Sequence, residues 1–260
     1  MYQGFYNLTS GMLTQSRNLN VISNNMVNIQ TAGYKRDKMV STTFQEEMLY
    51  RTGKRYKENL EPMATTSKIR TADRTYVNHE QGSFESTEGI YDFALAGSGY
   101  FCIDTARGIR YTRNGSFSVD DEGFLTLNGM GRVQGTDGQP IRIENEDFTV
   151  DERGVISVSQ DLGEDGNEAG MRQIGALRVV DFADYEQLHK EDYGMFSTNQ
   201  AAQEVENPEI IWKSLERSNV DMVEEMTNMM SSQRALQSAA QVLKMYDQIM
   251  SKASTDVGRL

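Results

Sequence analysis

The residue types that most often do chemistry in proteins are scarce in this chain. It has one cysteine, Cys102, and two histidines, His79 and His189. A single cysteine excludes an internal disulfide and a zinc site built from several cysteines. Cys102 alternates with Phe101 and Ile103 in a predicted strand, which indicates a buried and unreactive thiol. Both histidines stand in polar sequence, where a surface position is more common than a metal ligand.

No motif for nucleotide, metal or hydrolytic chemistry is complete. Gly97-Ser98-Gly99 lacks the third glycine of a dinucleotide-binding loop, and there is no Walker A run. Segment 161–172 fits a calcium loop poorly, because Arg172 stands at the twelfth position, where an acid is needed. Acid pairs such as Glu144 and Glu146 are typical of a charged surface. We therefore predict no enzymatic activity, and no cofactor, metal ion or small-molecule substrate.

Charge is distributed unevenly along the 260 residues. The formal net charge is -12, which argues against binding to nucleic acid or to an acidic membrane surface. The first 34 residues contain one charged side chain, Arg17, and residues 226–242 contain only Arg234. No apolar stretch approaches the roughly 20 residues of a membrane helix, and residues 1–30 show no cleaved secretory signal. Two charge-poor ends therefore flank an acidic middle.

Both ends predict helices with a heptad stripe of apolar residues. The apolar residues recur at alternating steps of three and four, which is the spacing of a coiled-coil seam. The same periodicity fits two core helices of an ordinary domain. The missing charge on the outer faces favours helices covered on several sides by other copies of the chain. We predict a subunit interface at Phe5, Leu8, Met12, Leu19, Ile22, Met26, Met222, Met226, Met229, Leu236, Ala240, Leu243 and Met250.

The middle of the chain predicts antiparallel β structure. Short runs rich in β-forming residues, such as Tyr100–Asp104 and Ile109–Thr112, are separated by turn signals such as Asn114-Gly115. Residues 161–170 predict an exposed loop, and Thr42–Arg51 a short helix. The predicted fold is α+β, with N- and C-terminal helices forming a coiled-coil-like pair and a central antiparallel all-β domain. Its predicted parts are an N-terminal helix at 1–36, a connecting segment at 37–67, a β domain at 68–217 and a C-terminal helix at 218–260.

Three separate segments resemble the flagellar rod and hook protein family. The run from Val21 to Arg36 is similar to the N-terminal signature of that family, with Met26 and Val27 where leucine and alanine are usual. Gly99-Tyr100-Phe101 and Tyr111–Phe117 resemble its β motif, and Leu215–Asp221 its C-terminal motif. The residues that carry the terminal signatures are Asn24, Asn25, Asn28, Thr31, Gly33, Tyr34, Lys35, Ser218, Asn219 and Val220.

The resemblance implies a structural subunit of the flagellar basal-body rod, of the proximal or the distal type. Such proteins leave the cell through the flagellar export apparatus without a cleaved signal. They stack helically into a hollow driveshaft that carries torque to the hook, with the terminal helices inside and the β domain outside. The implied partners are other copies, neighbouring rod and hook proteins, the export apparatus and surrounding ring proteins. The alternative is an extracellular binding or adhesive β module on a helical oligomerisation stalk.

Overall fold

The chain folds into two compact units, each assembled from distant stretches of sequence. The computed structural model describes residues 2–43, 46–51, 61–67, 70–127, 129–143, 147–160 and 170–257. The unit called here the terminal unit comprises 1–27, 37–77 and 221–260, and the central unit comprises 28–36 and 78–220. The exposed loop predicted at 161–170, the partial calcium motif and the acid pair at 144 and 146 lie almost wholly outside the described residues.

Two long helices and two pairs of antiparallel strands make up the described part of the terminal unit. The helices are α1 (Tyr2–Val27) and α2 (Met222–Val257). The strands are β1 (Asp37–Thr43), β2 (Glu46–Arg51), β3 (Glu61–Ser67) and β4 (Arg70–Val77), with β1 paired to β4 and β2 to β3.

Helix α1 ends at Val27, nine residues before the end of the N-terminal helix predicted at 1–36. The residue after it, Asn28, accepts hydrogen bonds from Thr31 through its backbone oxygen (3.2 Å) and its side-chain oxygen (3.2 Å). An asparagine side chain that bonds locally competes with the next turn of helix. The chain therefore leaves the helical path at Asn28.

The helix expected at Thr42–Arg51 is wrong, because the described residues there belong to β1 and β2. Thr43 pairs with Arg70 in the first strand pair, and Glu46 pairs with Ser67 in the second. Each strand pair contains one register shift, at Val40/Ser41 and at Leu49/Tyr50. Pairing with a partner strand outweighs weak local helix preference.

The central unit contains sixteen short strands, and every pairing between them is antiparallel in the described part of the chain. They are β5 (Phe84–Ser86), β6 (Phe93–Ala96), β7 (Tyr100–Thr105), β8 (Gly108–Thr112), β9 (Ser118–Val119), β10 (Leu125–Thr126), β11 (Gly131–Val133), β12 (Phe148–Val150), β13 (Val155–Gln160), β14 (Gly170–Ala176), β15 (Val179–Asp181), β16 (His189–Lys190), β17 (Met195–Ser197), β18 (Gln203–Glu204), β19 (Glu209–Trp212) and β20 (Ser214–Glu216). Short 3-10 turns lie at Tyr185–Gln187 and Asp192–Gly194.

The largest sheet of this unit is centred on β7. It has the order β16-β17-β8-β7-β11-β10-β9, and the first residues of β7 also pair with β15. Smaller sheets are β12-β13-β14, β6 with β19, and β5 with β20. Alternate residues of β6 and β7, including Phe93, Leu95, Phe101 and Ile103, fill the core with none of their surface exposed. The predicted α+β class, with a mostly antiparallel β-rich body, is confirmed.

Candidate functional site

The two terminal helices contact each other along the terminal unit and run antiparallel. Asn18 donates through Nδ2 to Ser232 Oγ (3.1 Å), and Asn25 donates through Nδ2 to Glu225 Oε1 (3.3 Å). From the first pair to the second, the position advances by seven residues on α1 and goes back by seven residues on α2, as expected for antiparallel helices. Amide, hydroxyl and carboxylate groups mark this register, because each buried polar group needs a specific partner.

The face of α2 towards α1 is more polar than the predicted stripe. Glu225 and Ser232 are buried at 2% and 6% exposure, and neither belongs to that stripe. Their neighbours Met226 and Gln233 are exposed. Among the predicted positions, Met229, Leu236, Leu243 and Met250 are half-buried, whereas Met222, Met226 and Ala240 are exposed.

On α1 the predicted stripe lies on the covered side of the helix. Ile22 is buried, and Leu8, Met12, Leu19 and Met26 are half-buried. Phe5, near the start, is exposed at 36%. The stripe thus has its most enclosed position in the second half of α1.

Large apolar side chains remain exposed on both helices. Exposed apolar area of this kind is typical of protein interaction surfaces, since a free monomer gains nothing from leaving it in water. The exposed residues are Phe5, Tyr6, Leu13 and Val27 on α1, and Met222, Val223, Met226, Met230, Val242, Met245 and Ile249 on α2.

Asn25, one of the signature asparagines, ties α1 to the first strand of the terminal unit. Its side-chain amide donates to the backbone oxygen of Asp37 (2.8 Å), and its side-chain oxygen accepts from the backbone nitrogen of the same residue (2.9 Å). Asn25 is 1% exposed, so these bonds satisfy groups that water does not reach. By contrast, the signature residue Asn24 is exposed.

The central unit holds a buried cluster of charges around Glu216. The Oε1 atom of this residue accepts from Lys35 Nζ (2.7 Å) and from the backbone nitrogen of Gly82 (2.9 Å), while Oε2 lies 3.5 Å from a guanidinium nitrogen of Arg113. Lys35 and Glu216 are each 1% exposed, and Arg113 is 5% exposed. We call Lys35, Arg113 and Glu216 the ion cluster.

Backbone carbonyl groups also accept hydrogen bonds from the two cations in the ion cluster. Lys35 Nζ also donates to the oxygen of Glu80 (2.8 Å), and Arg113 donates to the oxygen of Gly97 (2.7 Å). Burial lowers the pKa of Lys35, whereas the charge and hydrogen bond of Glu216 raise it. Buried charges persist only when they are paired in this way.

Gly33 brings the N-terminal signature onto the ion cluster. Its backbone nitrogen donates to the backbone oxygen of Glu216 (2.7 Å), and its φ of +67° is a left-handed conformation that favours glycine. A Cβ at this position would overlap the backbone of Arg113 and Asn114. Only glycine allows the three segments to approach so closely.

The other signature residues fasten the same segments. Tyr34 is buried, with Lys190 Nζ lying 3.8 Å from its ring centre. Asn219 accepts from the backbone nitrogen of Arg36 (2.7 Å) and donates to the oxygens of Asn78 and Glu80 (2.9 Å each).

The remaining two C-terminal signature residues lie beside Asn219. The Ser218 hydroxyl accepts from the backbone nitrogen of Val220 (3.4 Å), and Val220 is buried. These residues set the path of the chain and contain no nucleophile paired with a base.

His79 lies beside the ion cluster, in an aromatic pocket. Its Nδ1 is 2.6 Å from the hydroxyl of Tyr100, and its ring stacks on Tyr185 with 5.1 Å between ring centres. Burial and the nearby cations Lys35, Arg113 and Lys190 lower the pKa of His79 to about 4. His79 is therefore neutral at physiological pH and acts as a packing residue rather than a surface residue.

Clusters of metal-ligating side chains and membrane-spanning helices are both absent from the described part of the chain. It contains no group of three or more His, Cys, Asp or Glu side chains placed to hold a metal ion. Within the same residues, neither helix is apolar enough over its length to cross a membrane. Cys102 is buried, and burial raises the pKa of its thiol to about 12.

Sequence reasoning did not identify the charged partners of Lys35. Arg113 and Glu216 stand within segments that carry the family resemblance, yet nothing in those segments signals burial. Lys35 and Glu216 are 181 positions apart, so their pairing depends on tertiary structure. Glu225 and Ser232 were missed because polar residues do not contribute to an apolar stripe.

Three family models match separate parts of the chain. The model described as flagella basal body rod protein matches residues 5–35, and the flagellar hook protein FlgE/F/G D1 domain matches residues 94–158. The flagellar basal body rod FlgEFG protein C-terminal model matches residues 213–256. Lys35, Arg113 and Glu216 each fall within a different one of these three ranges.

Full-length relatives match over nearly the whole chain. The flagellar basal-body rod protein FlgG of Agrobacterium fabrum is 30% identical, covering 95% of this chain and 97% of the relative. The flagellar hook-basal body complex protein FlhO of Bacillus subtilis is 29% identical over 100% of both chains. The flagellar basal-body rod protein FlgF of Caulobacter vibrioides is 29% identical over 96% of both.

Proposed function

The chain belongs to the family of flagellar basal-body rod proteins, and from that premise we propose how its surfaces build the rod. It is a structural subunit of the basal-body rod and is located in the flagellar basal body. We propose that copies of the chain stack helically into a hollow driveshaft that transmits torque to the hook. The observation that carries this proposal is the apolar surface left exposed on both terminal helices.

In the proposed assembly, the terminal helices are the contact surfaces of the rod. The predicted interface residues divide into two groups there. Positions enclosed within the chain, such as Ile22, hold α1 and α2 together as a coiled-coil-like pair. Exposed positions, such as Phe5, Met222 and Met226, contact neighbouring subunits. The low charge of both ends supports this arrangement, because an unpaired charge is costly in a helix contact.

The central unit serves as a rigid body on the outer side of the proposed rod. Its ion cluster holds residues from 28–36, from the strand region and from β20 in one fixed arrangement. A subunit that transmits torque must stay rigid, so the segments of its central unit must not move relative to one another. Neighbouring rod and hook proteins, surrounding ring proteins and the flagellar export apparatus are its proposed partners, and it performs no catalysis.

The test is deletion of the gene followed by complementation. Cells without the protein should not swim, and electron microscopy should show basal bodies whose rod stops short of its full length. The intact gene should restore both. A deletion strain with complete rods and normal swimming would refute the proposed function. An adhesive module on a helical stalk, which the comparisons do not favour, would instead lose surface attachment while keeping motility.

Single substitutions in the same strain test the role of the helix surface. Met226→Asp places a charge in the proposed contact and should abolish swimming while the purified monomer keeps its melting temperature. Met226→Leu keeps the apolar surface and should swim normally. Equal swimming of the two variants would remove Met226 from the interface.

A further inference from the structure

A groove lies within the terminal unit where α1, β1 and α2 meet, and its volume is about 310 Å³. Helix α1 contributes Gly11 and Gln15 to its lining, β1 contributes Met39, and α2 contributes Ala239. The groove opens at the surface of the unit, because three further lining residues are exposed: Asn7, Ser41 and Ala235.

The groove is a gap in the contact between the two helices. Asn18 pairs with Ser232, and seven residues further along the same antiparallel register Gly11 stands opposite Ala239. Glycine has no side chain and alanine has a single methyl group, so this pair cannot fill the space that larger residues would occupy. The two helices therefore leave a cavity at this level of their contact.

The glycine at position 11 has no steric explanation within the described part of the chain. Glycine inside a helix is less stable than alanine. A Cβ built on Gly11 would meet no described atom within 4 Å, whereas a Cβ on Gly33 would overlap neighbouring backbone. Position 11 thus keeps a space open that these residues do not use, and this space is available to a side chain from another molecule.

Gln15 places an unused hydrogen-bond acceptor beside this space. Its Oε1 atom is shielded from water and has no hydrogen-bond partner among the described residues. A buried acceptor without a donor lowers stability. The described lining contains no charged residue, so a charged side chain would stand there unpaired. The groove therefore suits an uncharged side chain that combines an apolar body with a hydrogen-bond donor.

Tyr6 has these properties. It is 61% exposed, and among the large apolar side chains exposed on the described parts of both helices it alone carries a hydroxyl group. The segment around it is uncharged as far as Arg17. Tyr6 precedes Gly11 by five residues, which places it roughly 140° round the helix from Gly11. A chain therefore presents Tyr6 away from its own groove.

We propose that Tyr6 of one copy enters the groove of the next copy, with its ring beside Gly11 and its hydroxyl donating to Gln15 Oε1. This inference rests on the proposed function and adds one specific contact between subunits. The inserted side chain and the groove lie on different sides of α1, so each copy can receive one neighbour and enter another. Repetition of such a heterologous contact extends an assembly.

Photocrosslinking in purified hook-basal bodies tests which surface Tyr6 contacts. A chain with p-azidophenylalanine in place of Tyr6 is expressed together with the unmodified chain, so that rods still form. Illumination should give a product of dimer size, and mass spectrometry should locate the crosslink in the peptides that contain Gly11, Met39 or Ala239. Complete rods that crosslink Tyr6 to another protein, to a region outside the groove or to nothing would overturn the inference, while the rod subunit itself would stand.

Gly11→Ala separates the needs of the free chain from those of the assembly. The added methyl group has space in the free chain and favours the helix, so the melting temperature should rise by about 2–4 °C. The same methyl group narrows the groove, so swimming should fall several-fold. Ser16→Ala, at an exposed position of α1, is the control and should swim normally. Normal swimming of Gly11→Ala would show that the groove receives no side chain.

A double substitution tests the hydrogen bond between copies. Tyr6→Phe removes the hydroxyl and leaves Gln15 Oε1 without a donor, so swimming should fall several-fold. Gln15→Met removes the acceptor at similar size, and the double variant Tyr6→Phe/Gln15→Met should swim better than Tyr6→Phe alone. A double variant that is no better than Tyr6→Phe would overturn the pairing of these two residues.

Discussion

At the residue scale, the ion cluster accounts for three charged side chains, Lys35, Arg113 and Glu216, that lie in the interior of the central unit. Glu216 is the sole acid of the cluster and partners two cations, one from each side of its carboxylate. Lysine and glutamate are almost never fully buried unless they are paired. Lys35 and Glu216 therefore depend on each other, because removing either one leaves the other as an unpaired charge that water cannot reach.

We expect Glu216→Gln to lower the free energy of unfolding of the central unit by about 3–5 kcal/mol. Loss of one partner leaves Lys35 and Arg113 buried without a counter-charge. Trp212 is the sole tryptophan, and it lies in β19, so its fluorescence follows this unit during urea unfolding. Glu85→Gln is the matched control, because Glu85 pairs with Arg217 at 3.6 Å while 59% exposed, and its loss should cost less than about 1 kcal/mol. Equal effects of the two variants would contradict a structural role for the cluster.

His79 should make the central unit sensitive to mild acid. Its pKa is about 4 in the folded chain and 6.5 without the fold, so between these values the unfolded chain binds more protons. Stability then rises with pH from about 4 to 6.5, by about 1–2 kcal/mol once partial solvent exposure is allowed for. His79→Asn keeps an acceptor for the Tyr100 hydroxyl and should flatten this dependence, whereas the exposed His189→Asn should leave it unchanged. The measurement is Trp212-monitored unfolding at several pH values, and an unchanged slope in His79→Asn would disprove the assignment.

At the element scale, the contact between α1 and α2 is specified by polar residues. Asn18 pairs with Ser232 and Asn25 with Glu225, one heptad apart on each helix. A slip by one turn would leave these groups buried without partners, so they fix the register more strictly than apolar contacts do. With Glu225 and Ser232 facing α1, the exposed methionines Met222, Met226 and Met230 lie on the other flanks of α2.

We expect Asn25→Ala to destabilise the terminal unit by about 2–4 kcal/mol. The substitution removes three hydrogen bonds and leaves both backbone groups of Asp37 without that partner. Loss of helical circular dichroism on heating is the measurement, since both long helices lie in this unit. Asn20→Ala, on the exposed side of α1, is the control and should change the midpoint little. If both variants melt together, Asn25 does not hold α1 to β1.

The sequence predicts elements well where local pattern decides them, and poorly where distant residues decide. Alternation of Phe101, Cys102 and Ile103 predicted β7, which lies at the centre of the largest sheet. The stripe on α2 selected Met226, although Glu225 next to it is buried against α1. Hydrophobic periodicity cannot reveal a polar contact whose partner is on another helix. The same limit concealed the pairing of Lys35 with Glu216.

At the scale of the whole molecule, each unit is completed by residues from both ends of the chain. The terminal unit joins α1 with α2, and the central unit takes in 28–36 beside β20. Segment 28–36 thus belongs with the β structure although it directly follows α1. During synthesis from the N-terminus, neither unit can be completed until residues in the last third of the chain have been made.

Two truncations test this division. A chain that begins at residue 28 retains Gly33, Tyr34 and Lys35, so the Trp212-monitored transition of its central unit should stay close to that of the full chain. A chain that begins at residue 37 loses the Gly33 hydrogen bond to Glu216 and the Lys35 ion pair. The free energy of unfolding of its central unit should therefore be lower by about 3 kcal/mol or more. Both chains lack α1, so neither should support swimming. The difference in stability between them measures the contribution of the nine residues 28–36. If removal of 28–36 leaves the transition where it was, this segment contributes nothing to the central unit. If removal of 1–27 already abolishes the transition, the two units do not fold separately, and the ion cluster alone does not maintain the central one.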